Sequence, residues 1–255
     1  LSGDAGFDRV SYSGSSGGVA VSLLVGSGRL ADAEGDLLKG IEALEGSRFA
    51  DSFGGDAGAN QLSGLEGNDI LRGRGGADRL DGGAGMDLAT YSDSAAAVAV
   101  SLLTGSGRGG DANGDILMSI EAVEGSKYDD SFGGGAVSEQ FYGLNGNDIL
   151  RGRGGADRLD GGSGMDTVTY SDSVSGVAVS LLTGFGREGD AEGDQLISIE
   201  SVEGSQILLA VQVASSPSSS QAWVAMTFCV DVVAETCSMA VLETIQSPIV
   251  TVRVA

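Results

Sequence analysis

Residues Gly46 to Thr90 read as five blocks of nine laid end to end: GSRFADSFG, GDAGANQLS, GLEGNDILR, GRGGADRLD and GGAGMDLAT. Gly125 to Thr169 runs through the same five: GSKYDDSFG, GGAVSEQFY, GLNGNDILR, GRGGADRLD and GGSGMDTVT. Glycine always opens the block. Asp holds the sixth position, except at Asn60 and Glu139. The eighth is apolar, as in Phe53, Leu62, Leu71 and Leu80, then Phe132, Phe141, Leu150 and Leu159. One large apolar side chain every nine residues is too sparse for an amphipathic helix, whose buried stripe recurs every three to four. It suits a tight turn followed by a short strand that buries one residue, stacked many times over.

A longer period encloses the short one. Tyr12, Tyr91 and Tyr170 lie 79 residues apart, and VAVSLLVGSGR, VAVSLLTGSGR and VAVSLLTGFGR follow them at a constant offset. Gly3 to Ser11 is then the last block of an earlier unit, which places the natural start upstream of residue 1. The expected division is residues 1–45, the end of a first unit with its spacer; 46–90, a first nonapeptide array; 91–124, a spacer; 125–169, a second array; 170–205, a spacer; and 206–255, a tail. In the spacers Val98, Val100 and Leu102 alternate with small or polar residues, as a strand requires, before a glycine-rich turn. The following ILMSIEAVE fits either a helical turn or one more coil; repeats on both sides favour the coil. The expected class is therefore all-β, a parallel solenoid with hairpin-like spacers.

Charge narrows the partners. The 255 residues carry a formal charge of −22 with 44 glycines and no histidine. Such acidity disfavours nucleic acid and anionic membranes and favours cations. No apolar run is long enough to span a bilayer. Both cysteines, Cys229 and Cys237, fall in the tail, so no disulfide framework holds the repeats. Glycine at positions one and four lets a six-residue turn curl with its carbonyls inward, and the Asp adds a carboxylate. Hard oxygen donors without His or Cys match Ca²⁺. Each candidate Asp is already explained by a repeat position, and HExxH and GxSxG are absent, so no catalytic role is assigned.

The pattern G-G-x-G-x-D-x-U-x across residues 3–205 resembles the RTX (hemolysin-type) calcium-binding repeats. The resemblance implies a parallel β-roll with two nonapeptides per coil and several Ca²⁺ ions between turns stacked 18 residues apart. It implies one row of Asp51, Asp69 and Asp87 with Asn60 and Asp78 opposite, and a second of Asp130, Asp148 and Asp166 with Glu139 and Asp157 opposite. It further implies ligation by turn carbonyls at positions one, three and five. In the first array these belong to Gly64, Glu66, Asn68, Gly73, Gly75, Ala77, Gly82, Ala84 and Met86. In the second they belong to Gly143, Asn145, Asn147, Gly152, Gly154, Ala156, Gly161, Ser163 and Met165. It implies a bacterial protein exported by type I secretion machinery, folding on Ca²⁺ outside the cell. The parent is open between a secreted enzyme (protease, lipase or polysaccharide-modifying) and an adhesin. Position two is often not glycine, as at Leu65, Arg74, Leu144 and Arg153, and GSRFADSFG and GSKYDDSFG lack glycine at position four.

Three features stand outside this frame. DAEGD (Asp32 to Asp36, Asp190 to Asp194) and DANGD (Asp111 to Asp115) suit either a further Ca²⁺ loop or a polar turn. Arg72, Arg74, Arg151 and Arg153 read as a solvated face with local ion pairs. The tail breaks the period after Ser205 and holds every Cys, every Pro and the single Trp. Taking the last base of each codon with the first two of the next forces Gly at Trp223–Val224 and Met239–Ala240, and Asp at Met226–Thr227. With permitted synonymous codons elsewhere, residues 222–249 can be reread to match Gly143 to Tyr170 at 24 of 28 positions, with mismatches only opposite Asn145, Ala156, Arg158 and Met165. The tail is accordingly read as a frameshifted fourth unit, to be tested by sequencing the encoding DNA.

Overall fold

A computed structural model describes residues 1–204 and the strand Ile207–Leu209; the frameshift reading otherwise lies outside the described residues. Positions seven to nine of each block form a three-residue strand or begin a longer one, as in Ser52–Gly54, Gln61–Glu66, Ile70–Arg72 and Arg79–Ala84. Asp or Asn precedes each of these strands and glycine follows it, residues that suit the tight reversals between strands. Within an array successive strands alternate between two sheets, of eleven and twelve strands, and pair in parallel with the strand 18 residues away in the same array. Thus Phe53 lies beside Leu71, Leu71 beside Ala89, and Leu62 beside Leu80. The fold is all-β, a parallel β-roll.

The eighth residue of each block points between the sheets. Phe53, Leu62, Leu71, Leu80, Phe132, Phe141, Leu150 and Leu159 are all buried in one continuous core. Phe132 and Phe141 come from opposite sheets, and their rings meet with centroids 5.6 Å apart. A fully buried Leu or Phe side chain contributes about 1.5–3 kcal/mol. With one such residue per nine, the core is thin for its length.

The spacers continue the roll. Ile116–Met118 pairs with Arg79–Asp81, and Ala122–Glu124 with Leu88–Thr90, so ILMSIEAVE makes a coil rather than a helix. Before that coil, Ala99–Ser101 and Ser106–Arg108 form an antiparallel hairpin that enters the eleven-stranded sheet. Corresponding hairpins, Ala20–Ser22 with Ser27–Arg29 and Val177–Ser180 with Phe185–Arg187, enter the twelve-stranded sheet. The alternation follows from counting. A 79-residue unit crosses between the sheets an odd number of times, so each unit begins on the face opposite its predecessor. Among the described residues no helix is long and apolar enough to cross a membrane.

Candidate metal centre

The residue before each strand is the sixth of its block, so 18-residue stacking aligns these side chains into ladders. The Asp51 N–H donates to Asp69 Oδ1 at 2.7 Å, and the Asp69 N–H to Asp87 Oδ1 at 2.7 Å. On the opposite side the Asn60 N–H donates to Asp78 Oδ1 at 2.8 Å. In the second array the Asp130 N–H donates to Asp148 Oδ1, the Asp148 N–H to Asp166 Oδ1, and the Glu139 N–H to Asp157 Oδ1. One carboxylate oxygen per rung is thereby fixed by backbone.

The other oxygen is left over. Oδ2 of Asp69, Asp78, Asp87, Asp148, Asp157 and Asp166, and Oε2 of Glu139, are buried without a hydrogen-bond partner. Buried charges are ordinarily paired or coordinated to a metal, since an unsatisfied one costs several kcal/mol, ~2–7 even for a neutral polar group. The burden is visible in their protonation. Burial, reinforced by neighbouring carboxylates in the ladder, pushes Asp69, Asp78 and Asp148 up to about 7 against the lowering effect of their backbone donors. Asp87, Asp130, Asp166, Asp157 and Glu139 are also raised, with burial the leading cause. Asp51 and Asp130 stand apart, because each accepts from a serine in its own block, Ser47 and Ser126 respectively.

Glycine at position one explains why the space beside each orphan oxygen stays open. A Cβ on Gly64 would strike the Asp69 carboxylate and come 2.6 Å from the Gly82 carbonyl oxygen. A Cβ on Gly46 would meet Asp51 and the Gly64 carbonyl at 2.5 Å, and one on Gly143 would meet Asp148 and the Gly161 carbonyl at 2.5 Å. The carbonyls of Gly73 and Gly152 stand in the same relation to Gly55 and Gly134. The carbonyls of Gly64, Gly73, Gly82, Gly143, Gly152 and Gly161 therefore converge with the carboxylates on cradles that only hydrogen leaves empty.

The remaining sequence candidates lie farther round the turn. The Ala84 and Ser163 carbonyls accept from Gly67 and Gly146, and Glu66 and Asn145 pair with Ala84 and Ser163 across the turns. Asn68 and Asn147 use Oδ1 to accept from Met86 and Met165. Gly154 donates to Gly135, and the Ala156 N–H to Ser138 Oγ. Gly75 and Ala77 border the neighbouring turn near Ala57 and Gly114. Among the described residues no three acidic side chains gather at one point, so a cation here would draw most of its ligands from carbonyls. A mixed set of carboxylate and carbonyl oxygens fits Ca²⁺.

The spacers extend the ladders through residues that the nine-residue register does not single out. The Asp78 N–H donates to Asp115 Oδ1, and the Asp157 N–H to Asp194 Oδ1. The Asp87 and Asp166 N–H groups donate to Glu121 and Glu200. Tyr91 and Tyr170, both buried, give their hydroxyl protons to Asp115 and Asp194 at 3.0 and 2.7 Å. Burial pushes Asp115 up to about 6 and Asp194 up to about 7. DANGD (Asp111 to Asp115) and the second DAEGD (Asp190 to Asp194) turn about short 3-10 segments, Gly110–Ala112 and Gly189–Ala191, and their final Asp extends a ladder. The signal was the shared 79-residue spacing of Tyr12, Tyr91 and Tyr170 with Asp36, Asp115 and Asp194, whose partnership only the fold reveals.

At four non-glycine residues of position two φ is positive: 79° at Leu65, 68° at Arg74, 74° at Leu144 and 66° at Arg153. The departures from the repeat pattern are therefore accommodated in a conformation that costs L-residues about 1–2 kcal/mol each. Arg74 and Arg153 offset some of this by donating to the Gly55 and Gly134 carbonyls.

No curated protein matches the chain. Residues 54–88 and 133–168, one stretch in each array, match the family model for the RTX calcium-binding nonapeptide repeat (4 copies).

Proposed function

We propose that this chain is the calcium-loaded β-roll region of a secreted bacterial protein, folding when it meets Ca²⁺ outside the cell. The observation that carries the reading is the file of buried, partnerless carboxylate oxygens beside cradles lined by carbonyls. A cation between stacked turns would satisfy them and tie each coil to the next. Asp69, Asp78, Asp87, Asp148, Asp157 and Asp166 would supply charge, and the position-one carbonyls the neutral donors. Binding free energy then becomes folding free energy, because the unfolded chain holds no such site. In a Ca²⁺-poor cytosol the repulsion among 36 acidic side chains keeps the chain open, the state a type I exporter threads. The matched family is a binding repeat; on this reading enzyme or adhesin activity belongs to a longer parent protein.

Circular dichroism of the calcium-free chain, titrated separately with Ca²⁺ and Mg²⁺, tests this. A cooperative gain of β signal at millimolar Ca²⁺ and none at equal Mg²⁺ is expected, since the smaller ion demands a rigid octahedron that carbonyl-rich turns do not offer. Equal β content in chelator and in calcium would refute it.

A further inference from the structure

The outer surface of each sheet has a feature that the ladders do not use. Where the first hairpin joins the roll, Arg29, Arg72 and Arg74 gather with Ser22, Ser27 and Ser52 around an open groove of about 320 Å³. In the next unit Arg108, Arg151 and Arg153 gather with Ser101, Ser106 and Ser131 around one of about 370 Å³. Six of the chain's 14 cationic residues therefore line two grooves, and neither lining includes any of its 36 acids.

The ion pairs expected from sequence do form, but they leave charge over. Asp93 lies 3.5 Å from Arg72 and 3.3 Å from Arg74, and Asp172 lies 3.6 Å from Arg151 and 2.9 Å from Arg153. That is one carboxylate against three guanidinium groups in each groove. Among the described residues Arg29 and Arg108 have no ion-pair partner, and Nε of Arg72 and of Arg151 is buried without a hydrogen bond.

We propose that these two grooves, which open on opposite faces of the roll, each bind an acidic polysaccharide, so that one molecule holds two polymer strands together. Guanidinium forks recognise carboxylate and sulfate in a planar, bidentate manner. The serine hydroxyls match sugar hydroxyls, and exposed Ile70 or Ile149 gives each floor an apolar patch for a ring face. An open groove encloses too little of a small ligand to retain it, whereas a polymer gains from repeated contact. Nucleic acid fits less well: the linings offer only Phe53 or Phe132, which is buried, so no ring is exposed for base stacking. The first groove is built on the twelve-stranded sheet and the second on the eleven-stranded sheet, so a strand in one groove is separated by the core from a strand in the other.

The full chain in millimolar Ca²⁺ is passed over immobilised heparin, polygalacturonate, neutral dextran and single-stranded DNA. Binding to at least one acidic polysaccharide is expected, the sulfated and carboxylated arms deciding which anion is preferred, with none to dextran and weaker binding to DNA. R29E/R108E should lose about tenfold or more in affinity, while R48E/K127E, which alters exposed cations outside the grooves, should stay within about twofold. Both variants should keep the wild-type calcium midpoint by circular dichroism, so that loss of binding is not loss of fold. R108E alone should still bind but no longer carry labelled polysaccharide onto polysaccharide-coated beads. Absence of binding to both acidic polysaccharides, tighter binding to DNA, or equal effects of the two double variants would overturn the proposal. The last outcome would point to calcium bridging between acids, which the groove substitutions leave intact.

Discussion

At the scale of single residues, Asp69, Asp78, Asp87, Asp148, Asp157 and Asp166 divide two jobs between two oxygens: Oδ1 accepts from the neighbouring turn, and Oδ2, left without a partner, is the atom that the proposed function gives to a cation. The jobs separate under Asp69→Asn and Asp148→Asn, because an amide oxygen still accepts the backbone proton. Each variant should bind Ca²⁺ about tenfold more weakly yet fold more readily in chelator, read as calcium midpoint and residual β signal. Protons should partly replace calcium. With folded values near 7 at Asp69, Asp78 and Asp148, and about 3.9 for Asp in an unfolded chain, the metal-free roll holds more protons than the unfolded chain between those limits. Its stability therefore falls as pH rises through that window and is greatest below it. Acidifying the calcium-free chain from about pH 7.5 towards 4 should raise its β signal; a flat or falling profile would contradict the burial of these groups. Gly64→Ala should abolish one cradle outright, since the added methyl occupies the space between Asp69 and the Gly82 carbonyl.

At the scale of elements, the strands were legible and the joints were not. A glycine, an Asp and one apolar residue in nines gave strand, turn and ladder directly, because each constraint lies within a single block. Asp115, Asp194, Glu121 and Glu200 escaped because their partners lie 34 or 37 residues away, a distance only stacking closes. The arginine grooves escaped for the same reason: Arg29 comes from the hairpin, while Arg72 and Arg74 come from strand and turn about 45 residues on. Tyr91 tests how far the joint matters. Tyr91→Phe removes a buried hydroxyl that donates to Asp115, and loss of a hydrogen bond to a charged group costs about 1.5–3 kcal/mol. The thermal midpoint of the calcium-loaded chain should fall accordingly. Leu65→Gly should raise it, by relieving a φ of 79° worth about 1 kcal/mol, less what glycine adds to unfolded-chain entropy.

At the scale of the whole molecule, parity governs what the roll tolerates. Removing residues 64–81 deletes a full coil and preserves the order of faces; the shortened chain should still fold cooperatively on Ca²⁺, with fewer ions bound per chain. The three-stranded insertion of each spacer has a geometric cost to the column. Between the coils on either side of the first full spacer, the eleven-stranded sheet passes through Ile116–Met118, Ser106–Arg108 and Ala99–Ser101, while the twelve-stranded sheet passes through Ala122–Glu124 alone. Two extra strands at about 4.8 Å each make one face about 10 Å longer than the other, a wedge. Because the next insertion enters the opposite sheet, the next wedge tips the axis back. A tandem array of such units grows as a shallow zigzag of constant heading. Deleting a single nonapeptide, residues 73–81, would put successive wedges on the same side and turn the rod into an arc, a change of shape that small-angle scattering would register without any loss of calcium-driven folding.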